Sequence, residues 1–179
     1  MRLLEGKSVW NCIARRAAAA LAGIALASMA ATAAHAQASA TASTSASVQI
    51  ADPIAITKTA DLSFGTVVPS ASAGTVAVST GGVRSVSGGV SELAGTITAA
   101  AYRVAGYGNS AYNIALPASV SLTGAGTAMT ADNFVSSVGT SATLSGGSGS
   151  FSVGATLNVG ANQAPGTYTG TFNVTVAYN

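Results

Sequence analysis

From residue 37 onward the chain alternates between greasier and more polar positions. In "QASATASTSASVQI", residues 37–50, Ala38, Ala40, Ala42, Thr44, Ala46, Val48 and Ile50 are even, while Gln37, Ser39, Thr41, Ser43, Ser45, Ser47 and Gln49 are odd. A period of two puts one set of side chains on one side of an extended strand. The rhythm returns along the chain. "DLSFGTVVP" sets Leu62, Phe64 and Val68 on one face and ends at Pro69; "GTVAV" offers Val76 and Val78; "VRSVS" is a weaker strand between two Gly pairs. "TAAAYRV" groups Ala100, Tyr102 and Val104 opposite Arg103, "AYNIALP" groups Tyr112, Ile114 and Leu116, and "SVSLT" adds Val120 and Leu122. Phe151, Val153, Ala155, Leu157 and Val159 are all odd, and Tyr168, Phe172, Val174, Val176 and Tyr178 are all even.

Gly, Ser, Asn and Pro clusters separate these runs, and "GYGNS" and "SGGSGS" are the plainest turns. Only "TAMTADNFVSS" leaves room for a short helical turn. About eight to ten short strands with regular turn signals predict an all-β, immunoglobulin-like sandwich. One-face alternation predicts antiparallel pairing, because buried parallel strands read as continuous apolar runs. An outer-membrane barrel also suits alternating strands. Its aromatic girdles are missing, and several positions that would face lipid are Ala or Thr.

The first 36 residues are of another kind. Arg2, Lys7, Arg15 and Arg16 face a single acid, Glu5, and an apolar, Ala-rich run from Ala17 to Ala34 follows. It closes on Ala34-His35-Ala36, the small-residue exit of a secretory signal peptide, with cleavage expected between Ala36 and Gln37. A membrane-spanning helix would need about twenty strongly apolar residues, and this run is mostly alanine. Arg15 and Arg16 are adjacent, but the rest of a twin-arginine motif is absent. No Cys follows the apolar run to carry a lipid. The expected division is therefore signal peptide 1–36, an extension 37–47, and a domain 48–179. Val48 and Ile50 could equally open the domain's own first strand.

Cleavage changes the chemistry that remains. Cys12, Trp10 and His35, each the sole residue of its type, lie in the removed segment. Lys58, Arg84 and Arg103 then face Asp52, Asp61, Glu92 and Asp132, and 3 − 4 leaves a net charge of −1. No electrostatic footprint for nucleic acid remains. Without His or Cys, imidazole-based triads and the usual zinc sites are excluded, so no metal, cofactor or catalytic residue is expected. The scattered charges read as solvated surface groups that keep strand edges soluble. An exported chain without Cys must also fold without disulfides.

The two ends carry a resemblance. Gly166, fourteenth from the end, and the penultimate Tyr178, with Tyr168, Phe172, Val174 and Val176 between them, resemble the closing strand of subunits assembled by the chaperone–usher pathway. "ASATASTSASVQIADPIAITKT" is similar to the opening of the capsular-antigen type of these subunits, and "LSFGTVVP" looks like a second-strand motif of the spore-coat-U and fimbrial-subunit group. The whole mature chain also looks like a domain-of-unknown-function family of small exported bacterial proteins. Two features depart from the pathway's pattern: no disulfide, and Pro165 before Gly166.

The resemblance implies a non-enzymatic structural subunit, exported through the periplasm to the cell surface and built into a fibre or coat by β-strand donation. Ala38, Ala40, Ala42, Thr44 and Ala46 would be the donated face. Gly166, Tyr168, Phe172, Val174, Val176 and Tyr178 would form the strand that pairs with a donor or a chaperone. Implied partners are further copies of the chain, a periplasmic chaperone and an usher, with no transmembrane segment in the mature protein. The alternative expectation is a monomeric exported binding domain whose N-terminal strand pairs with its own sheet.

Overall fold

The computed structural model describes residues 39–179, so the expected signal peptide, its cleavage residues Ala34, Ala36 and Gln37, and Ala38 lie outside the described residues. The chain divides after Ala46. Residues 39–46 are exposed and belong to no helix or strand. In the second unit, residues 47–53 are likewise exposed coil, and Val48 and Ile50 are 86% and 89% exposed rather than part of a first strand.

The described residues hold ten strands: β1 (Ala55–Ala60), β2 (Ser63–Val78), β3 (Arg84–Thr98), β4 (Ala100–Ala105), β5 (Ala111–Ala115), β6 (Ser119–Leu122), β7 (Met129–Ser136), β8 (Ser141–Thr143), β9 (Ser148–Val159) and β10 (Thr175–Tyr178). Every pairing is antiparallel. One sheet runs β1-β4-β9-β2-β3 with β7 and β6 branching from β9, and a second runs β10-β5-β8. The fold is an all-β antiparallel sandwich, with no helix among the described residues.

β9 organises it. Its odd positions Phe151, Val153, Ala155, Leu157 and Val159 are all buried, as the alternation requires. It pairs with β4 over Ser148–Val153, with β2 over Ala155–Val159 and with β7 over Val153–Asn158. Two cores result. Tyr102, Val104, Tyr112, Ile114, Phe151 and Val153 centre the first, with Phe172, Val174, Val176 and Tyr178 against it. Val76, Val90, Met129, Ala131, Leu157 and Val159 make the second.

The structure corrects the sequence pattern at four places. "TAMTADNFVSS" is the strand β7, anchored by its ladder to β9, and not a helical turn. β2 does not end at Pro69 but runs on to Val78. Gly65, at φ +73°, makes a bulge that shifts the alternation, so Phe64 and Val67 pack on the second core while Val68 is 48% exposed. β3 likewise continues through Gly88-Gly89, where the β2–β3 register slips opposite Pro69–Gly74. The even-numbered tail is strand only from Thr175, because upstream of it the backbone bridges the sheet at Thr123–Thr169 alone among the described residues.

The slipped register bends the β2–β3 hairpin back on itself. Arg84 pairs with Val78 near one end, yet its guanidinium reaches the other end, donating to the carbonyls of Phe64 (3.2 Å), Thr66 (2.9 Å) and Leu93 (3.0 Å). Its side chain is 6% exposed, with Nε 3.6 Å from the Glu92 carboxylate. Arg84 is therefore no solvated surface charge.

Candidate functional site

The seam between the two cores is open. A cleft of about 620 Å³ lies there, floored by Ala100, Tyr102, Met129, Ala131, Leu157 and Val159. One lip is the first half of β2, through Phe64, Thr66 and Val67; the other is the coil 163–172, through Tyr168, Gly170 and Phe172. Between Ser63 and Pro69, β2 pairs with β3 only, so its other edge has no strand partner among the described residues. Among the described residues the facing coil carries one bridge, Thr123–Thr169, with reciprocal hydrogen bonds of 2.9 Å. An apolar floor thus lies between two stretches of backbone that ladder hydrogen bonds leave largely unused.

Local chemistry folds the start of the coil into a loop. Gly166 sits at φ +152°, and a Cβ there would lie 2.8 Å from that of Ala125. The Tyr168 hydroxyl donates to the Ala164 carbonyl at 2.8 Å and accepts from the Gln163 amide at 2.8 Å, folding residues 163–168 into a loop. Gly126 leaves space for that hydroxyl, since a Cβ there would come within 2.6 Å of it. Across the cleft, the Phe134 and Phe172 rings meet at 4.9 Å. Lys58 and Asp61, an exposed ion pair, stand at the β1 side. Burial, and next the Asp61 carboxylate, raise the Tyr102 phenol above the ordinary 10.0.

The candidate closing strand is split by this arrangement. Gly166, Tyr168 and Phe172 line the cleft. Val174, Val176 and Tyr178 pack with Phe172 on the first core, and there β10 pairs with β5 from Val176–Ile114 to Tyr178–Tyr112. The candidate donor positions Ala40, Ala42, Thr44 and Ala46 are exposed and in no strand. Two groups that shape the lip, Gly65 and Arg84, escaped the sequence reading. The one available signal was a lone Arg at an alternating position inside a Val/Ser strand.

Among the described residues no three His, Cys, Asp or Glu side chains come together as a metal site. Asp61 faces Lys58, Glu92 faces Arg84, and Asp132 accepts from Asn158 at 2.9 Å and Asn133 at 3.1 Å, so these three carboxylates serve separate local contacts. No helix among the described residues is long and apolar enough to cross a membrane.

Residues 54–178 match the family described as a domain of unknown function, DUF4402. The chain matches no curated protein and no solved structure.

Proposed function

This chain belongs to the DUF4402 family, and we propose that it is a structural subunit of a bacterial surface fibre or coat, assembled by β-strand donation. The observation that carries the reading is the cleft between β2 and the coil 163–172, apolar below and short of ladder partners on both sides. The occupant is the N-terminal extension of a second copy. That extension is exposed, free of secondary structure from residue 39, and patterned with small side chains at every second position. An extended segment entering such a cleft gains main-chain hydrogen bonds, and its alternate side chains set the register. Export through the periplasm, with a chaperone covering the cleft and an usher at the outer membrane, completes the proposal.

Energetics favour the backbone as the main source of affinity. Each buried methyl contributes only about 0.8 kcal/mol, whereas each new ladder hydrogen bond adds about 0.5–1.5 kcal/mol net. The receiving subunit supplies the bulk, through Tyr102, Tyr168 and Phe172. Small donor residues then let the strand lie close to that floor.

The test compares the mature protein with a form lacking residues 37–45 and with Ala42→Asp, by size-exclusion chromatography and electron microscopy. Wild type should polymerise. Both variants should stay monomeric and folded, because inserting a strand with a carboxylate at position 42 would bury an unpaired charge. A wild type that is the same folded monomer as the deletion would favour the alternative, an exported binding domain whose extension is dispensable.

A further inference from the structure

The Tyr178 hydroxyl sits where three segments meet. It donates to the Asp52 carbonyl at 2.8 Å and accepts the Tyr107 amide at 2.7 Å, while its ring packs on the first core. Among the described residues no other hydrogen bond reaches any residue from 39 to 53. Ile54 is the first side chain of this stretch to pack on a core. The penultimate residue therefore ties down the root of the N-terminal extension, two residues before packing would.

We propose that Tyr178 is a positioning residue that fixes the direction in which one subunit follows the next, an inference that rests on the strand-donation reading. The physical argument is linker length. With Asp52 held, the free chain between the donated segment and the domain is residues 47–51, spanning at most about 18 Å at ~3.6 Å per residue. Without the clamp the free stretch extends to residue 53, at most about 25 Å. A longer free linker lets neighbouring subunits take more relative orientations. The tether is also local: both hydrogen bonds belong to one phenol oxygen, so they can be removed without touching the ring.

Tyr178→Phe does this. Gly106→Ala is a second route, because a Cβ at Gly106 would press on the Tyr178 hydroxyl from the loop side. In the non-polymerising Ala42→Asp background, NMR relaxation should find Asp52 rigid, with an order parameter near ~0.85, falling below ~0.6 with either change. In the polymerising background, fibres should still form, with persistence length by electron microscopy at least halved. An unchanged Asp52 order parameter in both variants overturns the clamp, and so do fibres as stiff as wild type. If wild type forms no fibre, strand donation fails and takes the assembly role with it, while the order parameter still decides whether Tyr178 holds Asp52.

Discussion

Arg84 donates to the carbonyl of Thr66 at 2.9 Å, although the β2–β3 ladder places Arg84 opposite Val78 and Thr66 opposite Leu93. Two residues far apart along one hairpin meet because the hairpin doubles back, and a single guanidinium closes the bend. Phe64 and Thr66, whose carbonyls it holds, also form the lip of the cleft. Hairpin geometry and cleft geometry are thus coupled through one side chain.

Arg84→Met should therefore destabilise the domain by roughly 2 kcal/mol, the order expected when a side chain that is itself buried takes away charge-assisted donors from three carbonyls. Arg84→Lys should recover only part of that, because an ammonium cannot fork to carbonyls on two strands. Urea unfolding is the measurement, with the midpoint falling at constant slope. A loss under about 0.5 kcal/mol for Arg84→Met would show that the bend holds without it.

The bend itself depends on glycine. A Cβ at Gly89 would run into the Ser72 carbonyl, and one at Gly74 would lie 2.7 Å from the Val90 side chain. Gly89→Ala and Gly74→Ala should each lower the melting temperature by several degrees. Gly81→Ala, at the hairpin tip with only the Ser79 hydroxyl nearby at 3.8 Å, should leave it unchanged. Thermal unfolding of the three variants side by side checks the contrast.

These two features explain what the sequence could and could not disclose. β9 was legible from its letters because Phe151 to Val159 alternate without interruption and every inward residue is buried. Gly88-Gly89 reads as the boundary of a weak strand because a Gly pair is locally ambiguous; only its pairing opposite Pro69–Gly74 makes it a bulge within one long hairpin. Arg84 read as solvated because its burial is created by that bend and by nothing nearby in sequence. The tail from Tyr168 to Tyr178 alternates like one strand. With Gly166 at positive φ and a loop closed by the Tyr168 hydroxyl, its first half meets the sheet at Thr123–Thr169 and forms no strand there, and it lines the cleft.

Alkaline pH should weaken the fold through two phenols. Burial, and next Asp61, raise Tyr102, and burial raises Tyr112. The folded state thus favours the neutral phenols. Their contribution is complete below the ordinary value of 10.0 and is lost as pH rises through the higher folded values. Unfolding free energy should be flat approaching pH 10 and fall above it, with a smaller fall in Tyr102→Phe and Tyr112→Phe. Equal pH slopes in wild type and both variants would assign the loss to other groups.

The cleft should accept the extension as a separate peptide. The protein lacking residues 37–45 keeps both lips and the floor, so a peptide spanning residues 37–50 meets the same two edges. Binding to the folded state alone stabilises it by about 2.7 kcal/mol when the peptide is at a hundredfold excess over Kd. The melting temperature should therefore climb with peptide concentration. A peptide carrying Ala42→Asp should have no effect, and neither should one of equal composition whose order destroys the period of two, because register depends on alternate small side chains. NMR shifts on titration should concentrate at Thr66, Val67, Gly166 and Gly170, which face each other across the opening. Shifts confined to the outer face of β3, around Leu93, would instead mean that the peptide adds to a free sheet edge and that the cleft is not its site.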